Sequence, residues 1–361
     1  MSKDTVGIIT LFGRFNYGNR LQNYAATRIW EEFAFRPESL VLSERPNAVR
    51  SAKRMVKRVL GRTEPPSPEE AMSTERLAAF DRFNENIPTR RLATLEKDLN
   101  EQYDFFSVGS DQVWNPGLMT YNEDWYFLEF AKREQRIALA PSLGVHELDS
   151  IQSRRLATGV RGFDHLSVRE QRGAELIESC SGLKAEVICD PTLVINVDEW
   201  RAVADGRLTP NYPYIFTYLL GGLSSDSKRL LDKVTEGGRI PVISLTDRER
   251  PGELPAGPAE FIDLIDHAQL VMTDSFHASV FSCLFQTPLT IVRRGGKGDS
   301  MFSRLETLSE ELGIGSKIYG TLDFDIASAG NYTGVSERIS IQRDRFMGYL
   351  SACLNGVGSN D

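Results

Sequence analysis

Short, continuously apolar runs recur along this chain, each followed by a turn of small or polar residues and then by a segment with helical spacing. Runs at 5–11, 105–109, 136–140, 165–168 and 185–189 predict buried strands, with helices over 21–30, 69–84 and 171–178 among them. Runs this brief, with no polar alternation, suit parallel strands covered on both faces. The pattern breaks at 205–213 and resumes with runs at 214–220, 240–245, 269–273 and 288–292, interleaved with helices at 227–236, 259–268, from Phe276, and 300–312. Repeated strand–helix alternation predicts an α/β protein with two doubly wound parallel sheets. The expected division is an N-terminal unit of residues 1–208, a C-terminal unit of 209–335, and a last helix within 336–361 that returns to the first unit.

Charge and composition narrow the partners. The 361 residues carry a net charge of −8, which argues against a general nucleic-acid binder. No apolar run reaches the roughly 18 residues needed to span a bilayer, and the N-terminus lacks a signal peptide's apolar core. Cys180, Cys189, Cys283 and Cys353 form no paired motif and read as reduced residues of a cytoplasmic protein, not as a zinc site. One segment departs from the acidic balance: residues 45–62 hold seven basic side chains and no acidic one. It reads either as a solvated helix face or as a peripheral contact with the cytoplasmic face of the inner membrane.

Candidate chemistry sits where strands give way to helices, the ligand-binding edge of open α/β sheets. After the run 269–273, Asp274 and Ser275 are suited to capping a buried helix whose first turn holds His277. The partial positive charge of that helix end favours anions and lowers the pKa of the free imidazole, which a bound phosphate or carboxylate would raise again. A core histidine with a hydrogen-bond partner is the alternative. In 104–115 the strand ends at Gly109, followed by Ser110 and Asp111, with Trp114 as a surface for stacking a sugar. Asp111 would orient or deprotonate a hydroxyl, or else bond its own loop. Arg169, at another strand end, offers a planar fork to a carboxylate or phosphate, unless it pairs with Glu170 or Asp190. Asn16, Gly18 and Asn19 lie in a turn-rich stretch after the first strand, either a ligand loop or an ordinary connection. Arg304 and the basic, glycine-rich loop 293–299 add positive charge. That first loop has no GxGxxG, and no GxxxxGK[ST] occurs anywhere, so neither a dinucleotide fingerprint nor a P-loop is expected.

Together, Asn16-Tyr17-Gly18-Asn19-Arg20-Leu21-Gln22, Val108-Gly109-Ser110-Asp111-Gln112-Val113-Trp114, Ser142-Leu143-Gly144, Ser167-Val168-Arg169-Glu170, Asp190-Pro191-Thr192-Leu193 and Thr273-Asp274-Ser275-Phe276-His277 form an ordered set. It resembles the polysaccharide pyruvyl transferase family. Ala278 departs from the family's pattern, which often has Gly after Ser-Phe-His. The resemblance implies two Rossmann-like domains facing across a cleft, as in GT-B glycosyltransferases. It also implies transfer of a pyruvyl group from phosphoenolpyruvate to two hydroxyls of a free or lipid-linked saccharide in exopolysaccharide or cell-envelope synthesis. The donor is then a substrate, and neither a cofactor nor a metal is expected. On this reading His277 is the proton donor, Asp111 or Asp274 the base, and Arg169 the anion clamp. Asn16, Gly18, Asn19, Gly109, Ser110, Ser275 and Arg304 complete the binding surface. A GT-B glycosyltransferase using a nucleotide sugar, or a non-catalytic saccharide-binding relative, are the alternatives.

Overall fold

The computed structural model describes residues 4–43, 71–119, 123–294 and 302–355. The basic segment 45–62 and most of the loop 293–299 lie outside the described residues. Five strands, β1 (Thr5–Ile9), β2 (Arg36–Leu42), β3 (Thr89–Leu92), β4 (Phe105–Val108) and β5 (Arg136–Ala138), form a sheet in the order β3-β2-β1-β4-β5. A short parallel pair, β6 (Ser167–Val168) and β7 (Glu186–Val187), forms a separate two-stranded sheet beside it. Ser167 joins the two, its hydroxyl donating to the Ala138 carbonyl (2.6 Å) and accepting from the Ala140 N–H (3.0 Å). The second sheet is β11-β10-β8-β9, from β8 (Ile215–Tyr218), β9 (Val242–Leu245), β10 (Leu270–Thr273) and β11 (Leu289–Ile291). Every described strand pair is parallel. Strand order turns back on either side of β1 and of β8, so both sheets are doubly wound, as the run pattern predicts.

β2, β3 and the helix Ser150–Val160 do not stand out in the run pattern. β2 carries Arg36, Pro37 and Glu38 at its start, and β3 is an edge strand in which Leu92 alone is buried. The helix has a readable start, since Asp149 and Gln152 form a reciprocal capping box.

One continuous apolar core runs through both sheets. Tyr17 is a main link: its ring stacks on Phe261 (centroids 4.7 Å apart), packs against Phe80, and its hydroxyl donates to the Ala256 carbonyl at 2.7 Å. Such stacking adds about 1 kcal/mol beyond the burial of the rings. It also fixes the start of the helix Tyr17–Glu32, and so the residues after Tyr17, against the second sheet. The final helix, Val335–Asn355, lies against the first sheet. There the Tyr349 hydroxyl donates to the Ala138 carbonyl (2.8 Å), Arg343 pairs with Glu32 and Arg345 with Glu186. Among the described residues no helix is long and apolar enough to cross a membrane.

Candidate active site

Gly109 ends β4 with φ +121°, and a Cβ there would stand 2.1 Å from the Leu139 carbonyl oxygen. Glycine is therefore required by the neighbouring backbone of β5, not to make room for a ligand. The chain then turns so that the Ser110 hydroxyl meets the Asp190 carboxylate at 2.8 Å. Asp111 follows with a left-handed φ of 56°, its side chain accepting from the Gln112 N–H (2.8 Å) and from the Asn19 side-chain amide.

The stretch read as a turn at 15–20 is helical from Tyr17. Asn16 is its cap, accepting from the Asn19 N–H at 3.0 Å, so its oxygen is used within the chain. Gly18 lies directly against the His277 ring. On the second sheet, Ser275 caps the helix Phe276–Phe285 by accepting from the Ala278 N–H, which puts His277 in the first turn. The two sheets thus bring Gly18, Asn19, Asp111, Arg169 and His277 together.

Asp190 is the centre of this group. It caps the short helix Pro191–Val194 at the end of β7 by accepting from the Thr192 N–H and hydroxyl. Its other oxygen accepts from Arg169 at 2.6 Å and lies 3.8 Å from His277 Nε2. The pairing of Arg169 is with Asp190, not Glu170, whose carboxylate accepts from the Leu143 and Gly144 N–H groups. Arg169 Nη2 lies 3.6 Å from Asp111, and its guanidinium sits 4.6 Å over the Phe276 ring. Sequence reasoning gave Asp190 no role of its own. The signal was present, because Asp190-Pro191 repeats the strand-end, cap and helix pattern of Thr273-Asp274-Ser275.

Burial and charge set the ionisation of the group. Burial works against the Asp190 charge, but Arg169, His277 and Thr192 outweigh it and hold the carboxyl down to about 2. Burial also opposes the Arg169 charge, and Asp190, Asp111 and Glu170 raise it above the usual arginine value. For His277, burial is the larger force and lowers the pKa, while Asp190 and Asp111 pull the other way. Arg304 is pulled down to about 10 by burial and by the charge of Arg169. A narrow crevice between the sheets is lined by Arg169, Asp190, Phe276 and Arg304.

Donors are left over. Arg169 Nε and Nη2, Arg304 Nε and His277 Nε2 are buried without a hydrogen-bond partner. A buried polar atom without a partner costs about 1–3 kcal/mol, more when charged, so such a set marks a place built for an acceptor. Among the described residues no three His, Cys, Asp or Glu side chains are grouped to hold a metal ion.

Two expected residues lie elsewhere. Asp274 accepts from the Leu220 and Gly221 N–H groups, both at 2.7 Å, and faces Arg294 at 3.5 Å. Burial raises its pKa, with Arg294 and those amides opposing. Trp114 offers no stacking surface: it is fully buried, packs on Phe127 and Phe163, and donates to the Tyr126 carbonyl at 3.0 Å. Its indole is a core side chain because the backbone after Asp111 folds under the sheet edge, the Trp114 N–H bonding the Ser142 carbonyl.

The model of the polysaccharide pyruvyl transferase family matches residues 16–295. The chain belongs to this family. All the residues just placed except Arg304 fall inside the matched region. A search of curated proteins gives no match. Among solved structures, the chain is similar to the trehalose-6-phosphate phosphatase N-terminal domain of Candida albicans, with 10% identity, coverage of 98% of this chain and 97% of that one, and a TM-score of 0.46. It is also similar to the UDP-GlcNAc 2-epimerase of Methanocaldococcus jannaschii, at 14% identity over 94% of this chain and 93% of that one, with a TM-score of 0.41.

Proposed function

We propose that this member of the pyruvyl transferase family moves a pyruvyl group from phosphoenolpyruvate to two hydroxyls of a saccharide, giving a cyclic ketal and phosphate. The observation that carries the reading is the set of unpartnered buried donors on Arg169, Arg304 and His277. Two guanidinium groups at one crevice, with the His277 imidazole on the other side of the Arg169–Asp190 pair, suit a small donor with a phosphate and a carboxylate. Asp190 cancels one of these charges and holds the Arg169 fork, leaving Nε and Nη2 for the ligand.

In the reaction, His277 takes up a proton when the anion binds and delivers it to the methylene carbon of the donor. The C=C bond is consumed and C2 becomes electrophilic. A saccharide hydroxyl attacks C2 and gives its proton to Asp111. The bond from C2 to the phosphate oxygen breaks, and the second hydroxyl closes the ring. Of the two hydroxyl protons, one replaces that lost by His277 and the other leaves with phosphate. Asp111 is assigned the base because it lies beside Arg169 in the group that holds His277, whereas Asp274 turns to the Leu220 and Gly221 amides and to Arg294.

The test is isothermal titration with phosphoenolpyruvate, then phosphate release with a panel of diol sugars. Binding of the donor and release of phosphate only with an acceptor present are expected. Tight binding of a nucleoside diphosphate with no binding of phosphoenolpyruvate would instead support a nucleotide-sugar transferase.

A further inference from the structure

A second unsatisfied cation lies in the helix packed on the first sheet. Arg20, in the first turns of the helix Tyr17–Glu32, is completely buried, and its Nε and Nη1 have no hydrogen-bond partner. Its one hydrogen bond is a long contact of 3.5 Å from Nη2 to the Leu11 carbonyl. The guanidinium sits 4.6 Å from the ring centre of Phe12, in the loop after β1. Arg91, near the end of β3, brings a second guanidinium to 4.7 Å from the same ring.

This arrangement is costly as it stands. Among the described residues neither guanidinium has an ion pair. Burial and the charge of Arg91 pull Arg20 down to about 9, while Asp111 acts on it without pairing. Two cations at 4.6 and 4.7 Å from the centre of one ring repel each other, and only Arg91, which is exposed, has water to screen it. A fully buried guanidinium with two idle nitrogens is normally paired. An anion between Arg20 and Arg91 would satisfy the idle donors and remove the repulsion together. The place also fits a substrate. Leu11 and Phe12 follow β1, Arg91 lies near the end of β3, and Asn19 links the same helix turn to Asp111. All three lie at the carboxyl edge of the sheet, leading outward from the switch between β1 and β4.

We infer that Arg20, Phe12 and Arg91 form an anion subsite that holds a phosphate or carboxylate carried by the acceptor, so that the acceptor is an acidic saccharide. The inference rests on the transferase reading for the word acceptor. The subsite itself does not depend on phosphoenolpyruvate as donor.

The experiment is isothermal titration of the full-length protein with glucose 1-phosphate, glucuronate and, as the uncharged control, glucose, with and without saturating phosphoenolpyruvate. Wild type is expected to bind an anionic sugar at least about tenfold more tightly than glucose, with the preference weakening as salt is raised. Arg91→Glu should lose that preference and Arg91→Lys keep part of it, while phosphoenolpyruvate binds all three alike. Arg20→Gln, checked for folding by urea denaturation, should lose it too. A preference for glucose 1-phosphate assigns the subsite to phosphate, and one for glucuronate to carboxylate. Unchanged affinity for both anionic sugars in Arg91→Glu, or equal binding of glucose, glucose 1-phosphate and glucuronate by wild type, overturns the inference. Failure of the donor reading looks different: phosphoenolpyruvate does not bind, while Arg91-dependent binding of the anionic sugar persists.

Discussion

Gly18 and His277, one from each sheet, touch so closely that a Cβ added to Gly18 would stand 2.4 Å from the imidazole Nδ1. The glycine sits in helical backbone, where alanine would ordinarily be favoured by about 1 kcal/mol. Gly18→Ala should therefore keep the fold but push the imidazole off its position. We expect a fall in kcat of ten- to a hundredfold, roughly what a 1 Å misplacement costs, with a native circular dichroism spectrum. Wild-type turnover would show that the ring position is not critical.

Proton uptake should accompany donor binding. Burial lowers the His277 pKa, so the free imidazole is neutral near pH 7.5, and a bound dianion raises it again. Titrations with phosphoenolpyruvate in buffers of different ionisation enthalpy should show uptake of up to one proton. His277→Gln should remove that uptake and nearly all turnover. Undiminished uptake in the variant would assign the proton to another group.

Arg169→Lys keeps a charge but loses the planar fork that holds Asp190 beside the narrow crevice. Weaker binding of phosphoenolpyruvate, by about tenfold or more, is expected in titration. Equal affinity would reduce Arg169 to a structural partner of Asp190.

Acid stability should carry the mark of Asp190. Its folded pKa, about 2, lies below the usual value near 3.9 for an unfolded aspartate, so its contribution is complete above that value. It is lost as pH falls from about 4 through 2, where the native state must also take up the proton. Asp190→Asn should be less stable at pH 7 by roughly 3–5 kcal/mol, since Arg169 is left buried without its counter-charge. Its urea midpoint should also decline less steeply below pH 4. A parallel decline in both proteins would remove Asp190 from the acid response.

Trp114 gives a contrasting prediction. Trp114→Ala should cost about 3–5 kcal/mol in urea unfolding, as for other buried aromatic truncations, without a selective rise in the KM for acceptor. A rise in that KM at unchanged stability would restore it as a contact for sugar.

Much of this site is visible in the chain before any coordinates. Strand ends at Val108, Val168 and Thr273 mark the edge where ligands bind, and the small and polar residues after them are those that meet there. What the pattern hides is which oxygens are already used. Asp274 and Asp190 follow apolar runs in the same way, yet one spends its oxygens on the Leu220 and Gly221 amides and the other faces Arg169 and His277. Trp114 misleads for a similar reason, because its burial depends on the path of a loop. Arg20 reads as the last residue of a turn-rich stretch, and its lack of partners exists only in three dimensions.

The chain crosses from the first sheet to the second and then returns, because its last helix rests on Ala138, Glu32 and Glu186. Two covalent tethers, one on each crossing, would make any opening of the crevice a hinge, not a free swivel. A cut between Leu322 and Thr333 would sever one tether while the helix stays bound, leaving a two-piece protein whose halves can still find each other.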